Sequence, residues 1–188
     1  KKKCHFLFPS KKYCGEIIVE DIGISKDVYS VMQPKIKKND PSLWIKSFPF
    51  PSSSDHKYSR GLLIINSGPK FQTGAARLAG RSALRVGAGA VRLVCDKDAA
   101  EVLEPQISVE MLSVISEKND LQTILKDKKI SSVLVGPGNG ANDETKARTL
   151  LALALVNHVV IDADAISCFA DNPDELFIDT YPHTILTP

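Results

Sequence analysis

Three short stretches hold the residues whose types and spacing could do chemistry. The first is "GPGNG", residues 136–140, directly after the apolar run 133–135. Three glycines in five residues let backbone approach another surface more closely than side chains allow, which favours a ligand. Pro137 stiffens the turn and removes one donor, and Asn142 or Asp143 is placed to cap the helix that follows. The second stretch, "NSGPKFQTGAARLAG" (66–80), carries Gly68 and Gly74 ahead of a helix rich in small residues. Such a helix start offers free N–H groups to an anion or polar ring, or simply packs a βα turn tightly on a sheet. It is neither G-x-G-x-x-G nor a P-loop, and Lys70 does not sit where a P-loop lysine would. The third is "VVIDADA" (159–165), where Asp162 and Asp164 share one face if the strand runs that far. Carboxylates there suit a Mg²⁺–phosphate site or a ribose hydroxyl. Asp164 is equally placed to cap the short helix beginning at Ala165, and Asp162 to hold a ligand or a water network. Arg77, Arg81 and Arg85 form an i, i+4 ladder that reads as a solvated face, and His56, Lys57 and His158 read as structural or surface groups.

The elements that must position these stretches alternate. Strands are expected over 61–66, 90–95, 107–115, 131–136, 158–163 and 183–188, and helices over 74–86, 97–104, 120–127, 142–155 and 163–170. In the helix 74–86 the residues Ala75, Leu78, Ala79, Ser82, Ala83 and Val86 recur at helical spacing and predict the face laid on the sheet. The alternation predicts an α/β fold, a mostly parallel sheet with helices on both faces, binding ligands beyond the carboxyl ends of its strands. "HTILTP" (183–188) reads as an inner strand, so the expected fold is incomplete at the C-terminus. Residues 1–30 read as a tail with one strand over 17–22, and 31–55, rich in proline, lysine and serine, as a linker. The compact domain is expected over 56–188.

Bulk composition narrows the class. The 188 residues are 43% apolar and 24% charged, as in a soluble globular protein, with a net charge of +2 that gives no support for a nucleic-acid partner. Aromatics at 6% are too sparse for base stacking, and no apolar run is long enough to cross a bilayer. The four cysteines form no CxxC pair; they predict small buried hydrophobes in a reducing, cytoplasmic setting and no metal site.

Taken together, "HKYSRGLLIINSG" with "TGAARLAGRSALRVGAGAVRL", "VLVGPGNG", "VVIDADAI" and "ILTP" resemble one family, the ADP/ATP-dependent NAD(P)H-hydrate dehydratases of ribokinase-like fold. The resemblance spans 56–188, and "YCGEIIVEDIGIS" (13–25) is similar to the closing strand of an NAD(P)H-hydrate epimerase domain. What it implies is a lyase of metabolite repair. ADP or ATP, with Mg²⁺, phosphorylates the hydroxyl of hydrated NADH or NADPH; phosphate leaves and the ring double bond returns. Matched residue by residue, Ala75, Gly138 and Gly140 fall at substrate-contacting positions, with Asp162 shaping the same pocket. The sequence departs from the family pattern at Asn66, Ser67 and Gly68, where a glycine pair and serine are usual. The family's catalytic "GSGD" segment would lie beyond Pro188, so no catalytic residue is expected within the chain and no turnover from it alone. The partners implied are the dinucleotide and either a second copy or a downstream complementing polypeptide, with no nucleic acid or membrane. Two other readings stand beside it: a non-catalytic remnant that binds dinucleotide weakly, and a ribokinase-like small-alcohol kinase, which would lack the epimerase tail.

Overall fold

The computed structural model describes residues 2–117 and 119–188. The chain divides into two units, one through Phe48 and one over Pro49–Pro188. The first contains short 3₁₀ turns and one five-residue helix, α1 (Val28–Met32), and none of its described residues is buried. The strand expected over 17–22 does not form there. An extended run becomes a strand only when a neighbour completes its hydrogen bonds, and Ile18, Val19 and Ile22 remain exposed.

The second unit is built on six parallel strands: β1 (Leu62–Asn66), β2 (Ala90–Asp96), β3 (Met111–Ile115), β4 (Ile130–Val135), β5 (Val159–Asp162) and β6 (Thr184–Thr187). Between them run α2 (Gly74–Val86), α3 (Lys97–Leu103), α4 (Asp120–Leu125), α5 (Asp143–Leu155), α6 (Asp164–Ser167) and α7 (Pro173–Ile178). Strand side chains alternate between the two faces of the sheet. Leu62 and Ile64 join Val133, Val135 and Ile161 in a core with Leu153 of α5 and Leu176 of α7. Ile65, Val91, Leu93 and Cys95 join Ala76 of α2 and Ala99 and Leu103 of α3 on the opposite face. Helices therefore cover both faces, as the near-continuous apolar strands require.

The strand order is β3-β2-β1-β4-β5-β6. The chain winds outward one way from β1, returns to β4 beside it, and winds outward the other way. The carboxyl ends of β1 and β4 thus flank a topological switch point, where open α/β sheets leave a crevice.

Three sequence expectations are corrected. In α2 the buried residues are Ala76 and Gly80, while Leu78 and Val86 stay exposed. Close helix-on-strand contact selects the smallest side chains: a Cβ on Gly80 would lie 3.5 Å from Val91 Cγ1. The strand expected from 107 starts at Met111, because the N–H groups of Ser108 and Val109 donate to the Glu110 carboxylate instead of to a ladder. Of the four cysteines, all free, only Cys95 is buried. Among the described residues no helix is long and apolar enough to cross a membrane.

Candidate functional site

Two loops meet at the switch point. One leaves β1 at Asn66 and runs to Thr73, the residue before α2; the other leaves β4 and runs over 136–142 into α5. They touch backbone to backbone. A Cβ on Gly68 would collide with the carbonyl of Gly138, and one on Gly138 would stand 2.8 Å from the carbonyl of Gln72 and 3.9 Å from Ala75 Cβ. Ala75 and Gly138, named from sequence, are therefore neighbours across the two loops.

The three turn glycines have φ of +120° (Gly136), +69° (Gly138) and +81° (Gly140), a region side chains disfavour. Space also excludes a side chain at Gly136, where a Cβ would meet the carbonyl of Asp162 and approach Ala165 Cβ to 2.9 Å. What comes close to this backbone is, first, the protein's own backbone. Gly136 is buried, whereas Gly138 and Gly140 are half-exposed and Ala75 is exposed.

Asp162 ends β5 with its carboxylate accepting a 2.7 Å hydrogen bond from Thr187 Oγ1, so it braces β6. Asp164 does not cap α6; it is that helix's first residue, and its carboxylate accepts from Gly140 N–H at 2.8 Å. It clasps the glycine turn to the end of β5. Between the two aspartates Ala163 is held at φ +44°, ψ −111°. Asn142 is the cap of α5, its Oδ1 accepting from Thr145 N–H at 2.9 Å.

Sequence reasoning missed a buried polar chain under these loops. Asn66 (2% exposed) and Asn139 (8%) bond side chain to side chain at 3.2 Å. Arg148 of α5 donates to Asn66 Oδ1 at 3.1 Å and to Asp96 Oδ1 at 3.0 Å, and pairs with Glu144. The available signal was Asn66 itself, which closes a run of four apolar residues. A buried amide in that position needs partners. The arginine ladder also divides: Arg81 and Arg85 are exposed, but Nε of Arg77 is buried without a partner among the described residues. Lys70 pairs on the surface with Glu101 at 3.2 Å.

At the start of α2 the Thr73 side chain makes no capping bond, so among the described residues the cap leaves the first-turn N–H groups beside Gly138 untaken. A polar or anionic ligand fits such donors. The sequence here matches a family model, described as NAD(P)H-hydrate dehydratase, over residues 62–188. The chain belongs to the NAD(P)H-hydrate dehydratase family. The ATP-dependent (S)-NAD(P)H-hydrate dehydratase of Danio rerio is 30% identical over 196 residues, covering 100% of this chain and 56% of its own length. That of Mus musculus is 33% identical over 152 residues, covering 73% of this chain and 41% of its own length. The bifunctional NAD(P)H-hydrate repair enzyme Nnr of Coxiella burnetii is 26% identical over 163 residues, covering 87% of this chain and 33% of its own length. The chain thus spans from 33% to 56% of these relatives.

Among solved structures, a ribokinase-like superfamily protein from Enterococcus faecalis has a TM-score of 0.63 at 22% identity, over 75% of this chain and 49% of the other. The ADP/ATP-dependent NAD(P)H-hydrate dehydratase from Bacillus subtilis, crystallised with ATP and Mg²⁺, has a TM-score of 0.57 at 22% identity, over 74% and 48%. These likenesses establish the fold of the family in this chain: ribokinase-like, as the motifs implied.

Proposed function

We propose that the segment 62–188 provides the floor on which hydrated NADH or NADPH lies in an ADP- or ATP-dependent dehydratase. In that reaction the hydroxyl added to the nicotinamide ring is phosphorylated and leaves as phosphate, restoring the ring double bond. Hydroxide is a poor leaving group and phosphate a good one, so the nucleotide supplies the activation. The residues assigned here bind and orient; Ala75, Gly138 and Gly140 line the floor and Asp162 shapes its wall. The observation that carries the reading is the apposition of Gly138 with Ala75 at the switch point, beside the uncapped start of α2. With a net charge of only +2, attraction for the dinucleotide's phosphates comes from oriented N–H groups and a helix dipole.

Among the described residues no three His, Cys, Asp or Glu side chains converge to hold a metal ion. No step of phosphoryl transfer is assigned to these residues.

The test is calorimetric titration of the protein with the S-form of hydrated NADH. Binding is expected, with Gly138→Ala weakening it about tenfold, or about 1.4 kcal/mol. Absence of binding, or equal binding by the variant, refutes the assignment. Adding Mg²⁺ with ADP or with ATP, and following the return of reduced-nicotinamide absorbance, reports the repair reaction and its nucleotide.

A further inference from the structure

The geometry points to Arg148 as a positioning residue for the glycine turn, acting through Asn66 and Asn139. A guanidinium only donates hydrogen bonds. Its 3.1 Å contact with the Asn66 side chain must therefore be to the amide oxygen. That choice turns the NH₂ of Asn66 toward Asn139, whose own oxygen must face it, at 3.2 Å. The same oxygen then accepts from the N–H of Gly136 at 2.6 Å. The NH₂ of Asn139 is left to donate to the main-chain carbonyl of Asn66 at 3.1 Å.

Each link forbids the flipped form of the next. A flip of either amide would set donor against donor or acceptor against acceptor in a buried site, where an unmatched polar group is costly. Arg148 is itself fixed: its side chain is 12% exposed and two carboxylates, Asp96 and Glu144, hold its far end. The polarity set by a helix-borne cation thus ends on the first glycine of the turn. Gly136 is also where a left-handed backbone must be held without help from a side chain. Arg148 acts only through other groups; its influence on the dinucleotide rests on the reading given under Proposed function.

The test uses the full chain with Arg148→Met and Asn66→Asp, read by amide hydrogen exchange. Asn66→Asp keeps the size and the acceptor toward Arg148 but replaces the donor facing Asn139 by an oxygen. If the pair only fills space, that variant leaves the turn unchanged. Both variants are expected to speed exchange at Gly136 at least tenfold relative to the core amide of Ile65, with Arg148→Lys restoring part of the protection. Unchanged exchange at Gly136 in Asn66→Asp overturns the proposal. So does equal acceleration at Gly136 and Ile65, which reports general destabilisation. Affinity for hydrated NADH, measured in parallel, is expected to fall about tenfold. If Gly136 loosens while the unaltered protein binds no hydrated dinucleotide, the relay stands and the dinucleotide assignment falls.

Discussion

Replacing Gly136 by alanine perturbs the switch point at its most constrained atom. The residue sits at φ +120°, and a Cβ there meets the Asp162 carbonyl and stands 2.9 Å from Ala165 Cβ. The backbone conformation costs a non-glycine residue about 1–3 kcal/mol. Forcing a methyl group into filled space adds about 1–3 kcal/mol. Restricting the unfolded chain returns roughly 0.4–1 kcal/mol. The net loss is roughly 1–6 kcal/mol. In a unit of this size that lowers Tm by roughly 3–20 °C. Gly74→Ala is the matched control, because nothing lies within 4 Å of its Cβ and its φ is ordinary. There the unfolded-state effect acts alone and stability rises by up to about 1 kcal/mol. Urea unfolding followed by far-UV circular dichroism measures both. A loss below about 1 kcal/mol for Gly136→Ala, or equal effects in the two variants, refutes the claim that turn and β5 are in contact.

Further expectations concern three single residues. Burial, then the neighbouring charge of Asp96, push the Cys95 thiol up from 9.0 to about 11, with Arg148 pulling weakly the other way. Native protein should therefore give three readily labelled thiols, and the fourth only on unfolding. Because the folded pKa is the raised one, the thiol's contribution to stability is complete below about pH 9 and is lost as pH climbs to about 11; a flat unfolding profile across that window contradicts it. Ala163→Gly should be neutral or stabilising by up to about 1 kcal/mol, since φ +44° with ψ −111° suits glycine. Ala147→Gly, in the exposed middle of α5, should lose about 1 kcal/mol by the same denaturation assay.

Much of this architecture was legible because periodicity and glycine spacing are local signals. All six strands had a sequence counterpart, and the three chemistry-bearing stretches do converge at strand ends. What was not legible depends on partners distant in sequence. Nothing local says that Leu78 faces outward while Gly80 faces β2; that is decided by how closely the helix can approach Val91. Nothing local joins Arg148 to Asn66, which are 82 positions apart. The short helix over Pro173–Ile178 was passed over, although Asn172 followed by a proline at the first turn is a start signal and Leu176 anchors it in the core. The role of the glycines was half legible: the need for bare backbone was clear, but not that the nearest claimant was the chain itself.

The placement of β4 beside β1 has a kinetic consequence. β1, β2 and β3 follow one another along the chain, but the crevice forms only when residues about seventy positions on return to pair with β1. Long-range parallel pairing is the slow kind of contact to make. A refolding or nascent chain can thus own a partial sheet and still lack the crevice. The opening at the strand ends therefore dates from the insertion of the fourth strand.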